Sequence, residues 1–393
     1  MFFLKFTFWF SAVIVFYSYL GYGLVLLVFL KIKNFFGRSE SLATDQGFEP
    51  AVSLVIAAYN EHDIIEQKIQ NCLEINYPRS KLHIVFVADG SNDGTPDVIR
   101  QYPEVQLLFT PERLGKVAAI NRAMKFIKTP FVVFCDANTF LNKESIKELV
   151  KHYQDEKIGA VAGEKKVINN AALGDAASSG EGIYWKYESF LKALDSKFFT
   201  VVGAAGELFS IRTKLFSAVP THVLLDDFII SMNICKKGYR VVYEPKAYAS
   251  EKPSFSIKEE QKRKIRISAW GFQSVLMLAD LLNIFKYGRL SFQYISHRVL
   301  RWIVCPALLP IIFFSNVVLF FTSADAVYTA ILVGQIAFYI AAAVGYYYAS
   351  KNIKIKALYI PYYFVFMNFA LYLGLKRFLS NQQSVLWDKA KRK

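Results

Sequence analysis

The sequence predicts an α/β domain with a largely parallel sheet, flanked by apolar segments that can span a membrane. Short β-rich apolar runs alternate with polar helical segments through residues 46–258, and this alternation implies crossover units and a parallel sheet. On both sides of that region lie stretches without a charged residue. Their lengths approach or exceed the roughly 20 apolar residues that are needed to cross a bilayer.

The composition supports contact with lipid. Hydrophobic residues make up 54% of the 393 residues, and Phe and Tyr are aromatic types that favour membrane interfaces. The formal charge of +15 fits anionic lipid headgroups or a phosphate-rich ligand. We do not expect nucleic acid as a partner, because no recognised binding motif accompanies the charge. The four cysteines are scattered without a CxxC pair, which argues against a zinc site and fits a reducing cytosol.

Four uncharged stretches are candidate membrane spans, at residues 6–30, 302–324, 326–350 and 357–375. The first is too long for the apolar part of a signal peptide, and no small-residue cleavage site follows it, so we expect an anchor. Lys31, Lys33 and Arg38 follow closely. The positive-inside rule then predicts a multi-pass protein of the inner cell membrane whose α/β domain is cytoplasmic.

The orientation of the last stretch stays open. The loop with Lys351, Lys354 and Lys356 and the basic tail from Lys376 onward are all expected in the cytosol. Four complete crossings would instead place the tail outside. Pro361 interrupts the last stretch, so a re-entrant or interfacial segment is the alternative.

These features divide the chain into four parts. They are an N-terminal transmembrane anchor and linker (1–45), an α/β domain (46–271), an interfacial helix region (272–298) and a C-terminal transmembrane region with a basic tail (299–393). The apolar stretch at 272–285 contains Asp280 and is too short to span a bilayer. A helix lying on the membrane surface and a helix packed on the α/β domain are both open for it.

The α/β region contains four β-rich runs, at residues 51–58, 83–88, 106–109 and 131–135. Helical candidates follow them at residues 63–74, 96–102, 116–127 and 143–153. In open parallel sheets ligands bind beyond the carboxyl ends of the strands. We therefore expect functional side chains directly after these runs.

Polar residues do follow the runs. The first is followed by Tyr59-Asn60-Glu61, and the second by the sequence DGSNDGT at residues 89–95, whose glycines permit tight turns. Its carboxylates can accept hydrogen bonds from a base or a ribose. Lys116 opens a helix, and a cation beside a helix N-terminus suits a diphosphate. Each signal has an ordinary alternative, a turn with a helix cap and a solvated lysine.

The fourth run ends in Cys135-Asp136-Ala137-Asn138. An acidic residue with an oxygen-bearing neighbour two positions on can hold Mg²⁺ or Mn²⁺ against substrate phosphates. Taken alone, the pattern is common and weakly specific.

In this order, the motifs YNE, DGSNDGT, LGK and CDAN resemble those of the family 2 glycosyltransferases of the GT-A fold, especially their membrane-embedded polysaccharide synthase branch. The resemblance covers residues 50–273. It implies a GT-A (Rossmann-like) nucleotide-sugar-binding domain, with one N-terminal and about three C-terminal transmembrane helices. It also implies a nucleotide-sugar donor and a Mg²⁺ or Mn²⁺ cofactor.

The resemblance assigns roles to the donor-side residues. Ala58, Tyr59 and Glu61 would line the pocket for the base and ribose, with Asp89 at the base. Lys116 would lie near the diphosphate.

The metal motif of the family usually carries two acids. Asp136 would be the first of them, and Asn138 stands where the second is usual. An asparagine can ligate a metal through its carbonyl oxygen but adds no charge.

On the acceptor side, residues 202–208 resemble the segment that lines the acceptor pocket, with a glycine-rich loop as the alternative. Asp226-Asp227 resembles the family's catalytic motif. Inverting transfer needs a base for the acceptor hydroxyl, so Asp227 is the expected base and Asp226 its support. Two aspartates before an apolar run are also typical of a helix cap.

The QxxRW motif of processive synthases is absent, and Glu260-x-x-Arg263-Lys264 is the nearest match. Arg263 or Arg266 could hold phosphates, because a guanidinium grips them bidentately. A basic interfacial helix is the alternative. Residues 184–188 contain three aromatic side chains that could stack on an acceptor sugar or pack in the core.

The combined expectation, in view of the resemblance, is an inverting, membrane-bound glycosyltransferase that uses a nucleotide sugar of the UDP type to extend a cell-surface or extracellular polysaccharide. Its partners would be the donor, a glycan or lipid-linked acceptor and the bilayer. The alternative is non-processive transfer to a polyprenyl phosphate or a membrane lipid.

Overall fold

The structure is a computed structural model that describes residues 1–37, 47–168, 176–252, 256–351, 353 and 355–380. Of residues 176–184 it describes the backbone alone. The predicted orientation also depends on residues outside these ranges, namely Arg38, Lys354 and the tail after residue 380. The predicted position of the tail therefore stays a prediction.

Within the described residues, eight strands form one mixed sheet in the order β3-β2-β1-β4-β7-β6-β8-β5. The strands are β1 Val52–Ala58, β2 Leu82–Asp89, β3 Gln106–Thr110, β4 Phe131–Asp136, β5 Thr139–Leu141, β6 Ile158–Val167, β7 Leu208–Arg212 and β8 Arg240–Glu251. The first four strands pair in parallel, as the alternation of elements predicts. Strand β7 runs antiparallel to both β4 and β6, so the second half of the sheet is mixed.

The helices of the described residues surround this sheet and extend away from it. They are α1 Phe2–Phe16, α2 Tyr22–Phe35, α3 His62–Leu73, α4 Thr95–Arg100, α5 Lys116–Met124, α6 Ser145–Val150, α7 Ala176–Phe198, α8 Asp226–Lys236, α9 Ile257–Met277, α10 Ile284–Tyr287, α11 Arg289–Tyr294, α12 Cys305–Thr322, α13 Ala326–Ser350 and α14 Lys356–Leu379. Two π-helical stretches, Tyr17–Gly21 and Ile295–Val304, join α1 to α2 and α11 to α12. The four predicted strands and the four predicted helices between them are confirmed, with ends that differ by a few residues.

The sheet is covered on both faces, which explains why its strands are almost continuously apolar. Along β1, Val55 belongs to one core cluster, whereas Leu54 and Ile56 belong to the other. Along β4, Phe134 and Val133 divide in the same way. Each fully buried aliphatic or aromatic side chain of this kind contributes about 1.5–3 kcal/mol through removal from water.

In the part of the chain that the structure describes, four helical stretches are long and apolar enough to cross a membrane: Phe2–Phe35, Arg289–Thr322, Ala326–Ser350 and Lys356–Leu379. They coincide with the four predicted spans. Helix α14 also packs closely on α9, since a Cβ added to Gly374 would lie 2.5 Å from the Cβ of Ser268. The α/β domain and the apolar helices therefore share a packed interface.

The region predicted as an interfacial helix region, residues 272–298, contains parts of several helices. Helix α9 crosses the expected boundary at 271/272, and the apolar helix Arg289–Thr322 crosses the one at 298/299. Leu278, Leu281 and Leu290 pack into a core cluster of the α/β domain. Leu276, Leu282, Ile284 and Phe285 are exposed. The segment therefore packs on the α/β domain with one side and leaves apolar side chains on the other.

Candidate active site

Side chains tie the ends of β1 and β2 together. The Asn60 amide donates to Oδ1 of Asn92 at 2.9 Å, and the Asn92 backbone donates back to Asn60 at 3.0 Å. Asn60 has φ of 52°, a left-handed conformation that asparagine tolerates better than most residues. The backbone N–H of Glu61 donates to the hydroxyl of Thr95 at 2.9 Å. These bonds place Ala58, Tyr59 and Glu61 beside the DGSNDGT turn, as the sheet topology predicts.

Asp89 is buried at the end of β2 and holds the loop before α5. Its Oδ2 accepts hydrogen bonds from the backbone N–H groups of Leu114 at 2.9 Å and Gly115 at 2.6 Å. Its Oδ1 lies 3.5 Å from the Arg122 guanidinium. The carboxylate therefore fixes the loop from which Lys116 projects. A contact between Asp89 and the base of a donor stays a prediction.

Four charged residues from three elements meet at one point: Lys116 from α5, Asp136 from β4, and Asp226 and Asp227 from α8. The Lys116 ammonium lies 2.7 Å from Oδ1 of Asp136, at the end of β4, and 3.9 Å from Oδ1 of Asp226, at the start of α8. A Cβ added to Gly206 would lie 3.2 Å from that ammonium and 3.5 Å from Oδ2 of Asp227. We call Lys116, Asp136, Asp226 and Asp227 the catalytic cluster.

The charges of the catalytic cluster influence one another. Burial and the neighbouring Asp226 carboxylate raise the pKa of Asp227 to about 7, although Lys116 opposes the change. Burial likewise raises the pKa of Asp226, against the effect of Lys116. Burial by itself would lower the pKa of Lys116, but the three carboxylates outweigh it and raise that pKa, so the ammonium keeps its charge. Asp227 can consequently change its protonation state near neutral pH.

The DxN segment offers oxygen ligands that suit a divalent cation. Oδ1 of Asn138 is buried and has no hydrogen-bond partner among the described residues. The side chain of Asp136 is 33% exposed and keeps a second oxygen beside the one that meets Lys116. An unused amide oxygen and an accessible carboxylate fit Mg²⁺ or Mn²⁺, which prefer oxygen and share their coordination with substrate phosphates.

A cavity of about 630 Å³ joins the catalytic cluster to the apolar helices. Its wall includes all four cluster residues and residues 204–207 of the loop before β7. Helix α14 contributes Tyr359, Tyr363, Phe364 and other side chains. The loop predicted to face the acceptor therefore borders a space that reaches the predicted membrane spans.

The two predicted phosphate-binding arginines, Arg263 and Arg266, both line this cavity. Arg263 is held by Glu260, whose two carboxylate oxygens accept from Nε at 3.0 Å and from Nη2 at 3.2 Å. Trp270 is buried and does not line the cavity, whereas Trp302 does. Of the aromatic segment, Trp185 and Tyr187 lie in the wall.

Two features of the site escaped the sequence argument. Lys165, from β6, binds Glu207 with 2.6 Å between its ammonium and Oε1 and also contacts Glu251. Although burial acts in the opposite direction, Lys165 lowers the pKa of Glu207 and keeps that carboxylate ionised. Arg298 and Arg301, at the head of the second apolar helix, are the other feature. In sequence they look like ordinary cations that flank a membrane span, and no local signal distinguishes them.

Comparison with known proteins agrees with this geometry. Residues 53–219 match the model of glycosyl transferase family 2. The chain is 26% identical over 250 residues to the poly-beta-1,6-N-acetyl-D-glucosamine synthase of Staphylococcus aureus and 22% identical over 278 residues to that of Staphylococcus epidermidis. The alignments cover 61% and 68% of this chain. They span 58% and 65% of the synthases, so the chain matches about three fifths of the length of these relatives.

A solved structure extends the likeness beyond that region. The mannosyltransferase PcManGT from Pyrobaculum calidifontis, in complex with GDP-Man and Mn²⁺, superimposes with a TM-score of 0.69 at 22% identity. The match covers 95% of this chain and 99% of that one, and it establishes the fold. Residues 53–219 are therefore similar to glycosyl transferase family 2, and the chain has the fold of a GT-A glycosyltransferase.

Proposed function

We propose that the protein transfers a sugar, with inversion, from a nucleotide diphosphate donor to a hydroxyl group of a membrane-held acceptor. The observation that carries this proposal is the catalytic cluster. It combines a carboxylate that titrates near neutral pH with a lysine that stays charged, at the wall of one cavity. A direct nucleophilic displacement at an anomeric carbon requires these two groups. It needs a base for the nucleophile and positive charge for the leaving group.

In the proposed reaction, Asp227 accepts the proton of the acceptor hydroxyl while the oxygen of that hydroxyl attacks the anomeric carbon. The bond from that carbon to the diphosphate breaks on the opposite face. Burial, together with the neighbouring Asp226 carboxylate, raises the pKa of Asp227 and so supports its role as the base. Lys116 stabilises negative charge on the departing diphosphate.

Mg²⁺ or Mn²⁺ would be held by Asp136 and Asn138 and would neutralise charge on the donor phosphates. The donor side would be completed by Ala58, Tyr59, Glu61 and Asp89. Support for a nucleotide-sugar donor comes from their position along one sheet edge with Lys116. We propose a UDP-sugar as the donor and place GDP-sugars second, since the archaeal mannosyltransferase of similar fold was solved with GDP-Man.

The proposed product is an extended glycan of the cell surface or extracellular matrix, as the names of the staphylococcal relatives suggest. The four apolar helices would anchor the protein in the cell membrane, with the catalytic domain on the cytoplasmic face. Transfer of a single sugar to a lipid-linked acceptor is the second candidate. It is favoured by the Glu260–Arg263 pair, which stands where processive synthases carry QxxRW.

A donor panel tests the proposal. Purified protein in lipid, supplied with Mg²⁺ or Mn²⁺, is expected to release nucleotide diphosphate from one class of nucleotide sugar and much less from the others. Product size then separates the two candidates, because a ladder indicates repeated addition and a single species indicates one transfer. If no nucleotide sugar in the panel gives release above a metal-free control, the proposal is wrong.

The pH profile gives a second test of the base. Asp227 can accept a proton only when ionised, and its pKa is raised to about 7. We therefore expect kcat/KM to fall as pH drops below that value and to level off above it. A profile that is flat from pH 5.5 to 8.5 would contradict the assignment of Asp227.

A further inference from the structure

A second charged group lines the cavity, and the proposed reaction does not use it. Lys192 and Glu188 come from α7, while Arg298 and Arg301 come from the π-helical stretch Ile295–Val304. We call these four residues the cationic wall. Arg298 lies 2.7 Å and Arg301 3.2 Å from the carboxylate of Glu188. Glu188 is therefore occupied by the two arginines.

A second acidic side chain beside the cationic wall, Asp195, is also engaged. His297 lies with Nδ1 2.5 Å from Oδ2 of Asp195 and with Nε2 3.3 Å from Glu188. Asp195 also accepts a hydrogen bond from Gln293 at 2.9 Å and another from Tyr22. Its carboxylate is therefore engaged by these three groups.

Lys192 has the least compensation within the wall. Its side chain is buried, with 2% exposure, and its ammonium has no hydrogen-bond partner among the described residues. It lies 5.3 Å from the centre of the Trp185 ring. Glu188 stands one turn earlier, where it would ordinarily pair with it, but Glu188 is bound by the two arginines. Burying an uncompensated ammonium is costly, and an anionic ligand would remove that cost.

The same cavity has an apolar part that is made by predicted membrane helices. Helix α14 contributes Ile360, Phe364, Met367 and Leu371, and Leu20 comes from the N-terminal apolar helix. Ile360 and Leu20 are also 58% and 57% exposed. One cavity therefore joins a buried ammonium, which has no hydrogen-bond partner among the described residues, to a surface that suits a hydrocarbon chain.

We propose that the cationic wall binds the phosphate or diphosphate of a lipid-linked acceptor. The lipid chain would lie along α14 and the N-terminal apolar helix, and the acceptor sugar would reach toward Asp227. The inference rests on the proposed function, since it names the acceptor of that same site. A glycan that carries carboxylates would use the cations but would leave the apolar side of the cavity unexplained, so a phosphate-bearing lipid fits more of the wall.

Direct binding tests the inference without any need for turnover. Farnesyl diphosphate is titrated calorimetrically into the full-length protein in neutral detergent, with UDP, GDP and Mn²⁺ in excess to occupy the donor site. Farnesol and inorganic diphosphate serve as the apolar and the anionic halves of the probe. We expect farnesyl diphosphate to bind roughly tenfold more tightly than either half, as expected for added charged hydrogen bonds.

Variants of one helix supply the matched controls. Lys192→Met is expected to weaken the binding of farnesyl diphosphate roughly tenfold or more and to leave that of farnesol unchanged. Lys192→Arg should retain most of the affinity because it keeps the charge. Lys197→Met, at an exposed position on the same helix, should bind like the wild type.

Three results would overturn the inference: equal binding of farnesol, equal binding of inorganic diphosphate, or unchanged binding by Lys192→Met. If that variant fails to fold, the comparison of the three probes on the wild type decides. Release of nucleotide diphosphate in the donor panel is a separate readout. Lost release with normal probe binding would count against the proposed function, whereas normal release without probe selectivity would count against the lipid-phosphate site.

Discussion

Replacing Asp227 by Asn is expected to lower kcat by roughly a hundredfold to ten-thousandfold, the usual contribution of a positioned general base. The amide keeps the shape of the side chain but cannot accept the proton of the acceptor hydroxyl. The KM for the donor should change little, because Lys116 and the predicted metal ligands remain. Release of nucleotide diphosphate under saturating donor measures the effect, and the inflection of the pH profile near 7 should disappear with it.

The stability of the same variant distinguishes lost chemistry from lost structure. Burial and Asp226 raise the pKa of Asp227 in the folded protein above its value in the unfolded chain. Stability that depends on this group is therefore present at low pH and is lost as pH rises through about 7. The neutral amide avoids that loss, so at pH 8 the Tm of Asp227→Asn should equal or exceed that of the wild type. Asp97→Asn, whose side chain is 72% exposed, is a control that should alter neither quantity. Turnover within a few-fold of wild type would remove Asp227 as the base.

The position of the site residues at the sheet edge could be predicted because their signals are local. A parallel sheet brings the carboxyl ends of its strands to one edge, so residues that follow β1, β2 and β4 had to lie near one another. Asp136 is placed by this rule, whereas Lys116 follows β3 and reaches Asp136 through the loop that Asp89 holds. The structure joins the two side chains at 2.7 Å.

The cavity wall beside the apolar helices could not be predicted in the same way, because its contacts connect distant parts of the chain. Arg301 binds Glu188 across 113 positions, and nothing local to either residue indicates the other. The pairing of Arg263 with Glu260 spans only three positions, yet its meaning depends on the cavity beside it. Residues in an apolar run at 272–285 could equally face lipid or protein, and tertiary packing decided that Leu278 and Leu281 face protein.

Asp89 has a structural role that its sequence motif does not indicate. Its carboxylate was available in the sequence for a ligand, but the folded chain directs the N–H groups of Leu114 and Gly115 at it. A charged group at a strand end can thus serve the loop that carries another functional residue. Here it fixes the loop before Lys116, and through that loop it also affects the catalytic cluster.

Asp136→Ala is expected to abolish measurable release of nucleotide diphosphate, a loss of roughly a thousandfold or more, because a bound metal supplies several kcal/mol of charge stabilisation. Asp136 is the charged member of the DxN pair, and it also positions the Lys116 ammonium. Without it, Lys116 would be left to Asp226 and Asp227, so both the metal and the lysine would lose their place beside the diphosphate. Loss of Mn²⁺ binding, followed by electron paramagnetic resonance of the free ion, should accompany the loss of turnover.

The converse substitution makes this a test of the metal site and not only of a damaged protein. Asn138→Asp adds a second carboxylate at a position where the amide oxygen is buried without a hydrogen-bond partner among the described residues. Because hard cations bind carboxylates more tightly than amides, Mn²⁺ should bind more tightly and the metal concentration for half-maximal activity should fall. If Asp136→Ala keeps its Mn²⁺ affinity and its turnover, the metal lies elsewhere. If Asn138→Asp leaves metal affinity unchanged, Asn138 is no ligand and the site depends on Asp136 together with the donor phosphates.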